Sequence, residues 1–166
     1  MTNADVTSER DRRDAAVAAV LARAVRAGEV HAADALRIVK HEMRRRNTNR
    51  KLKIVRRSVA AQAVVDKYER LGQPPPNNNS PEALHADHVH SFTERQLREI
   101  DGVDAWVEEL RRLREVVCVT AAENYRLEQL ERAGVTGEDK YERAEITWAS
   151  QVRFGTEPIS PAGLEP

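Results

Sequence analysis

Apolar positions recur along the first third of the chain with a helical period. Val17, Val20, Leu21, Ala24 and Val25 fall at i, i+3, i+4, i+7 and i+8, which predicts a helix from about Glu9 to Ala27, stopped by Gly28. Ala32, Leu36, Val39 and Met43 set one face of a second helix, which ends near Asn47-Thr48-Asn49. Leu52, Val55 and Val59, continuing into Val64, Tyr68 and Leu71, predict a third helix from Arg50 to Leu71, closed by Gly72. The texture then changes. Ala83 to His90 is too short for an amphipathic helix and reads as a strand, and the β-branched run Val116 to Thr120 reads as a second. Between them, Thr93-Glu94-Arg95-Gln96 is a capping box opening a short helix. Val103, Trp106, Val107, Leu110 and Leu113 form the cleanest amphipathic stripe of the sequence. Thr120-Ala121-Ala122-Glu123 is a second capping box, so a helix carrying Leu127 and Leu130 starts directly where the second strand stops. A last short helix is expected between Thr136 and Ala144. The reading is α+β and mostly helical.

Pro74-Pro75-Pro76 and Asn77-Asn78-Asn79 deny both helix and sheet pairing. The sequence therefore divides into a basic helical region (1–72), a Pro/Asn-rich linker (73–82), a strand-containing domain (83–150) and a flexible tail (151–166).

Charge sharpens this division. The 166 residues carry 27 Lys+Arg and 27 Asp+Glu, a net of zero. Residues 1–71 hold 17 cations and 9 anions, whereas residues 72–166 hold 10 and 18. From Arg37 to Arg57 the only acid is Glu42. Two explanations compete. Either the basic half binds a polyanion, or the halves neutralise each other across a fold or a dimer interface. Arg44, Arg45, Arg46, Arg50, Lys51, Lys53, Arg56 and Arg57 are the candidate phosphate contacts. The segment lacks interleaved aromatics, which argues against single-strand stacking.

Composition excludes several classes. No apolar run approaches the roughly 20 residues that span a bilayer, and the N-terminus lacks the apolar core of a signal peptide. Cys118 is the only cysteine, so neither an internal disulfide nor a Cys-rich zinc cage is available. A cytoplasmic protein with no membrane partner is expected, and the opposed halves are compatible with a homo-oligomer. Phosphate-binding glycine loops, a nucleophile elbow and a His-Glu-x-x-His zinc motif are missing.

The chemistry concentrates in His85-Ala86-Asp87-His88-Val89-His90, where three of the five histidines stand within six positions. A carboxylate offers a hard oxygen ligand for Mg2+ or Mn2+, and an adjacent neutral imidazole can take a proton from water near pH 7. Asn124 and Glu128, at i and i+4 on the later helix, offer further oxygen ligands.

Asp87-His88 at the end of a strand, followed by a second strand and a helix whose first turn holds Asn124, resembles the HNH endonuclease family. The match covers about residues 84–132. The resemblance implies a ββα-metal hairpin and helix, here with a helical insertion at Ser91–Glu115 where the family has a short loop. It implies Asp87 and Asn124 as ligands of Mg2+ or Mn2+ and His88 as the general base for hydrolysis of DNA phosphodiester bonds. His90 and Glu128 are additional site candidates. The sequence differs from the family in having no Asn between His88 and Asn124 and no paired Cys-x-x-Cys knuckles. The competing reading is a non-catalytic nucleic-acid-binding or regulatory helical protein.

Overall fold

The computed structural model describes residues 8–44, 51–77 and 80–149. Arg45, Arg46 and Arg50, and the expected tail at 151–166, lie outside the described residues. The chain runs α1 (Glu9–Arg26), α2 (Ala32–Ile38), α3 (Val59–Arg70), β1 (Leu84–His88), α4 (Glu94–Glu99), α5 (Val103–Leu113), β2 (Val116–Thr120), α6 (Ala121–Arg132) and α7 (Asp139–Arg143). The α+β, mostly helical reading holds. Among the described residues no helix is long and apolar enough to cross a membrane.

α1 packs against α5, but through a different face from the one its larger residues suggest. Asp14, Ala15, Ala18, Ala22 and Val25 are buried, while Val17 and Val20 are about half exposed. Small residues let the helix come close to α5, where Trp106, Val107, Leu110 and Leu113 fill the space, with Phe92 edge-on to Trp106. Arg114 completes the joint. Its guanidinium donates to Asp11, Asp14 and the Met43 carbonyl, tying the start of α1 to the approach to β2.

The third helix is shorter than its apolar stripe predicts. Lys51–Lys53 form a single 3-10 turn, and α3 begins at Val59 behind the N-cap Ser58, whose hydroxyl accepts from the Ala61 N–H. Between them the backbone is extended and joins the sheet. The Cys118 N–H donates to the Arg56 carbonyl (2.9 Å), and the Ser58 N–H donates to the Cys118 carbonyl (3.0 Å). On the other side Val59 N–H donates to Thr147 (2.8 Å) and Ala149 N–H to Arg57 (3.0 Å). The strand β2 thus has a partner on each side. An unpaired edge on a buried strand leaves backbone groups unsatisfied, and pairing it outweighs three turns of weak helix propensity. Val55 is 73% exposed as a result, and Leu52 and Val59 also face outward.

β1 and β2 are antiparallel in the register Leu84↔Thr120, Ala86↔Cys118 and His88↔Val116 on one face, with His85↔Val119 and Asp87↔Val117 on the other. The first face packs on α3 through Ile54, Ala61, Val64 and Val65. The second packs under α6 and α7 through Leu127, Tyr141, Ala144 and Ile146. Both this α3 core and the α1–α5 core draw residues from either side of the Pro/Asn stretch. The boundary expected at 73–82 therefore separates no hydrophobic core. It is a surface connection within shared cores.

Candidate functional site

The ββα order around Asp87, His88 and Asn124 is present: hairpin partner strands followed at once by α6. Thr120 opens α6 as the sequence indicates, its hydroxyl accepting from the Glu123 N–H while the Glu123 carboxylate accepts from the Thr120 N–H. That carboxylate also accepts from Ser58 Oγ at 2.6 Å, so the cap binds α6 to the start of α3. Glu123 is buried and fully occupied as a structural group.

Asp87 and His88 point to opposite faces of the sheet, and Asn124 stands on α6. Alternation along β1 sends Asp87 beneath α6 and α7 and His88 to the opposite face. His88 Nδ1 lies 3.2 Å from the Leu113 carbonyl at the end of α5. A carbonyl only accepts, so Nδ1 carries the proton and Nε2 is the basic nitrogen. Nε2 is shielded from solvent. Asn124, on α6, donates its amide to Glu128 at 2.9 Å. His85 shares the α6 side with Asp87. Its Nε2 is buried with no hydrogen-bond partner among the described residues, and burial, assisted by the Lys51 charge, holds its pKa below the usual histidine value.

Asp87 is held by residues that the sequence reading passed over. Tyr141 Oη donates to Asp87 Oδ2 at 2.6 Å, and the Lys140 ammonium reaches the same oxygen at 2.8 Å. Lys140 is 1% exposed. The ammonium also donates to Glu131 Oε1 at 2.6 Å and to the His88 carbonyl at 2.9 Å, so three oxygens surround it. Burial, with the Asp87 carboxylate beside it, drives the Tyr141 pKa upward and keeps the phenol a donor. Nothing local in Asp-Lys-Tyr-Glu-Arg marks this role. Lys140 stands 52 positions from His88, and its partners meet only through the packing of α7 on the sheet.

A hard divalent ion needs a set of converging oxygens with open positions at about 2.0–2.6 Å. Asp87 is already paired with a buried cation, Asn124 is bonded to Glu128, and His88 faces away. No group of three or more His, Cys, Asp or Glu side chains suited to a metal occurs among the described residues. The donor set implied by the HNH resemblance therefore does not fit Mg2+ or Mn2+ at Asp87.

The remaining candidates also divide. His90 Nε2 pairs with Glu115 at 2.8 Å, outside any ligand cluster. Arg56 makes a two-pronged ion pair with Glu138 at 2.6 and 2.8 Å and lies 4.0 Å over the Trp148 ring. Arg57 donates to the Leu52 carbonyl at 2.6 Å and to Gln62 at 3.0 Å. Both arginines serve the fold. Arg44 is half-buried at the end of the π-helical turn Val39–Met43. Lys51 is half-buried and Lys53 exposed, and neither has an ion pair among the described residues. Comparisons with protein-family models, curated proteins and solved structures find no match to this chain.

Proposed function

We propose that the protein binds DNA through its basic segment, with Lys51 and Lys53 as phosphate contacts, and that its ββα unit acts as a rigid support without metal-dependent cleavage. The observation that carries this reading is the Lys140 ammonium on Asp87, which spends the principal carboxylate of the strand on an internal ion pair. On the binding side, Lys51 and Lys53 have no ion pair among the described residues, and cationic crowding is felt locally. Lys40 is held below its ordinary pKa by burial and by the nearby Arg44 charge, and Lys51 acts in the same sense on His85. Crowded cations gain from a polyanion, whose counterions are released on binding.

The competing reading is an HNH-type endonuclease, favoured by one observation: the Leu113 carbonyl fixes His88 in the tautomer that a general base requires. Supercoiled plasmid incubated with Mn2+ decides between them. Under the binding reading, wild type and His88→Ala leave the plasmid equally intact while retaining DNA affinity. Nicking by wild type that falls about a hundred- to ten-thousand-fold in His88→Ala supports the nuclease.

A further inference from the structure

We propose that Lys140 is an internal substitute for a divalent cation, and that Asp87, Glu131 and the His88 carbonyl form a latent Mn2+ or Mg2+ site which opens when the ammonium is removed. This goes beyond DNA binding and does not depend on it.

The geometry is that of a cation cradle. Two carboxylate oxygens and one carbonyl oxygen converge on Nζ at 2.8, 2.6 and 2.9 Å, and the hydroxyl of Tyr141 holds the Asp87 oxygen from a further side. These are hard oxygen donors of the kind that bind Mg2+ and Mn2+. The N–O separations exceed metal–oxygen bonds by about half an ångström, a distance that side-chain rotation of Glu131 can close. Glu131 is partly exposed, its side chain 43% accessible, whereas Lys140 is 1% accessible. Glu131 therefore borders solvent, and it is from this side that an ion and its waters would enter once the ammonium is gone. In the wild type the lysine is a tethered competitor, present at high effective concentration on a folded helix, and a dilute metal ion cannot displace it. Its removal leaves two carboxylates together around an uncompensated space. Such a site is destabilised by mutual repulsion and relieved by a cation.

The test uses the full chain with Mn2+ as the probe, in four forms: wild type, Lys140→Ala, Asp87→Asn and the double variant. Calorimetric titration counts bound Mn2+, and thermal unfolding is followed in EDTA and in Mn2+. Wild type is expected to take up no Mn2+ in the cradle and to unfold at the same temperature in both buffers. Lys140→Ala should melt lower in EDTA, bind one Mn2+ per chain, and recover roughly 5–10 °C when Mn2+ stands at about 100 times Kd. The double variant should gain nothing. Where Lys140→Ala does not fold in EDTA, refolding from urea upon Mn2+ addition counts for the proposal, and failure to refold in Mn2+ counts against it. Mn2+ binding by wild type that disappears in Asp87→Asn, or a folded Lys140→Ala that takes up no Mn2+, overturns it. DNA affinity is not a readout here, so failure of this inference and failure of the DNA-binding reading are separate results.

Discussion

Lys53 and Arg56 stand three positions apart in one basic run, and the fold gives them opposite work. Arg56 is pinned between Glu138 and the Trp148 ring, while Lys53 ends a short exposed turn. Arg56→Ala should therefore cost stability, about 1–2 kcal/mol once solvent screening of the half-exposed Glu138 is allowed for, with the loss visible in urea unfolding. Lys53→Ala should leave the urea midpoint in place and lower DNA affinity. Acid titration reports other residues. The Glu138 pKa is depressed, chiefly by its hydrogen bond to Arg56, and the Asp11 pKa by Ser8. A carboxylate with a depressed folded pKa stabilises above its unfolded value of about 4 and loses this as pH falls through the folded value. The His85 pKa is lowered by burial, so the unfolded chain takes up a proton first, and stability declines below about pH 6.5. Urea midpoints measured from pH 7 to 4 should fall throughout, and His85→Asn should flatten the part between pH 7 and 5.5. Cys118 behaves in the opposite sense: burial pushes its thiol up to about 11, so thiol reagents at pH 8 should label it only on unfolding.

Elements with their own punctuation were legible in the sequence. Both capping boxes form, at Thr93–Gln96 and Thr120–Glu123, and the stripe from Val103 to Leu113 is the face that α5 buries. The misreadings came where packing overrode period. The stripe Leu52–Val55–Val59 has helical spacing, yet the open side of β2 draws residues 56–58 into the sheet and leaves those apolar side chains exposed. The alanine face of α1 was masked by its larger valines, because close approach to α5 is a property of the pair of helices. At the site, strand order and the placement of Asn124 were readable. The engagement of Asp87 by Lys140 was not, since it depends on how α7 docks. The two capping boxes give an expected contrast. Thr93→Ala, at an exposed end, should cost about 1 kcal/mol. Glu123→Ala removes the acceptor shared by Ser58 Oγ and the Thr120 N–H in a buried setting, and should cost about 2–3 kcal/mol. Urea unfolding of both variants checks the order.

Across the whole molecule, the opposed charges of the two halves are partly spent on each other. Arg12, Arg26, Arg56 and Lys67 pair with Asp104, Asp101, Glu138 and Glu82 across the Pro/Asn stretch, and Arg114 returns the exchange to Asp11 and Asp14. On the proposed reading, the paired cations secure the shared cores, while Lys51 and Lys53, which have no ion pair among the described residues, would meet the phosphates. The direct test is the affinity of wild type for duplex DNA, measured by fluorescence anisotropy in EDTA across a salt series. Four or five neutralised phosphates imply a slope of log K against log salt of about −4, with weaker binding and a shallower slope by about 2 in the Lys51→Ala/Lys53→Ala variant. No binding in EDTA at low salt, or a salt response that the double variant leaves unchanged, would contradict it.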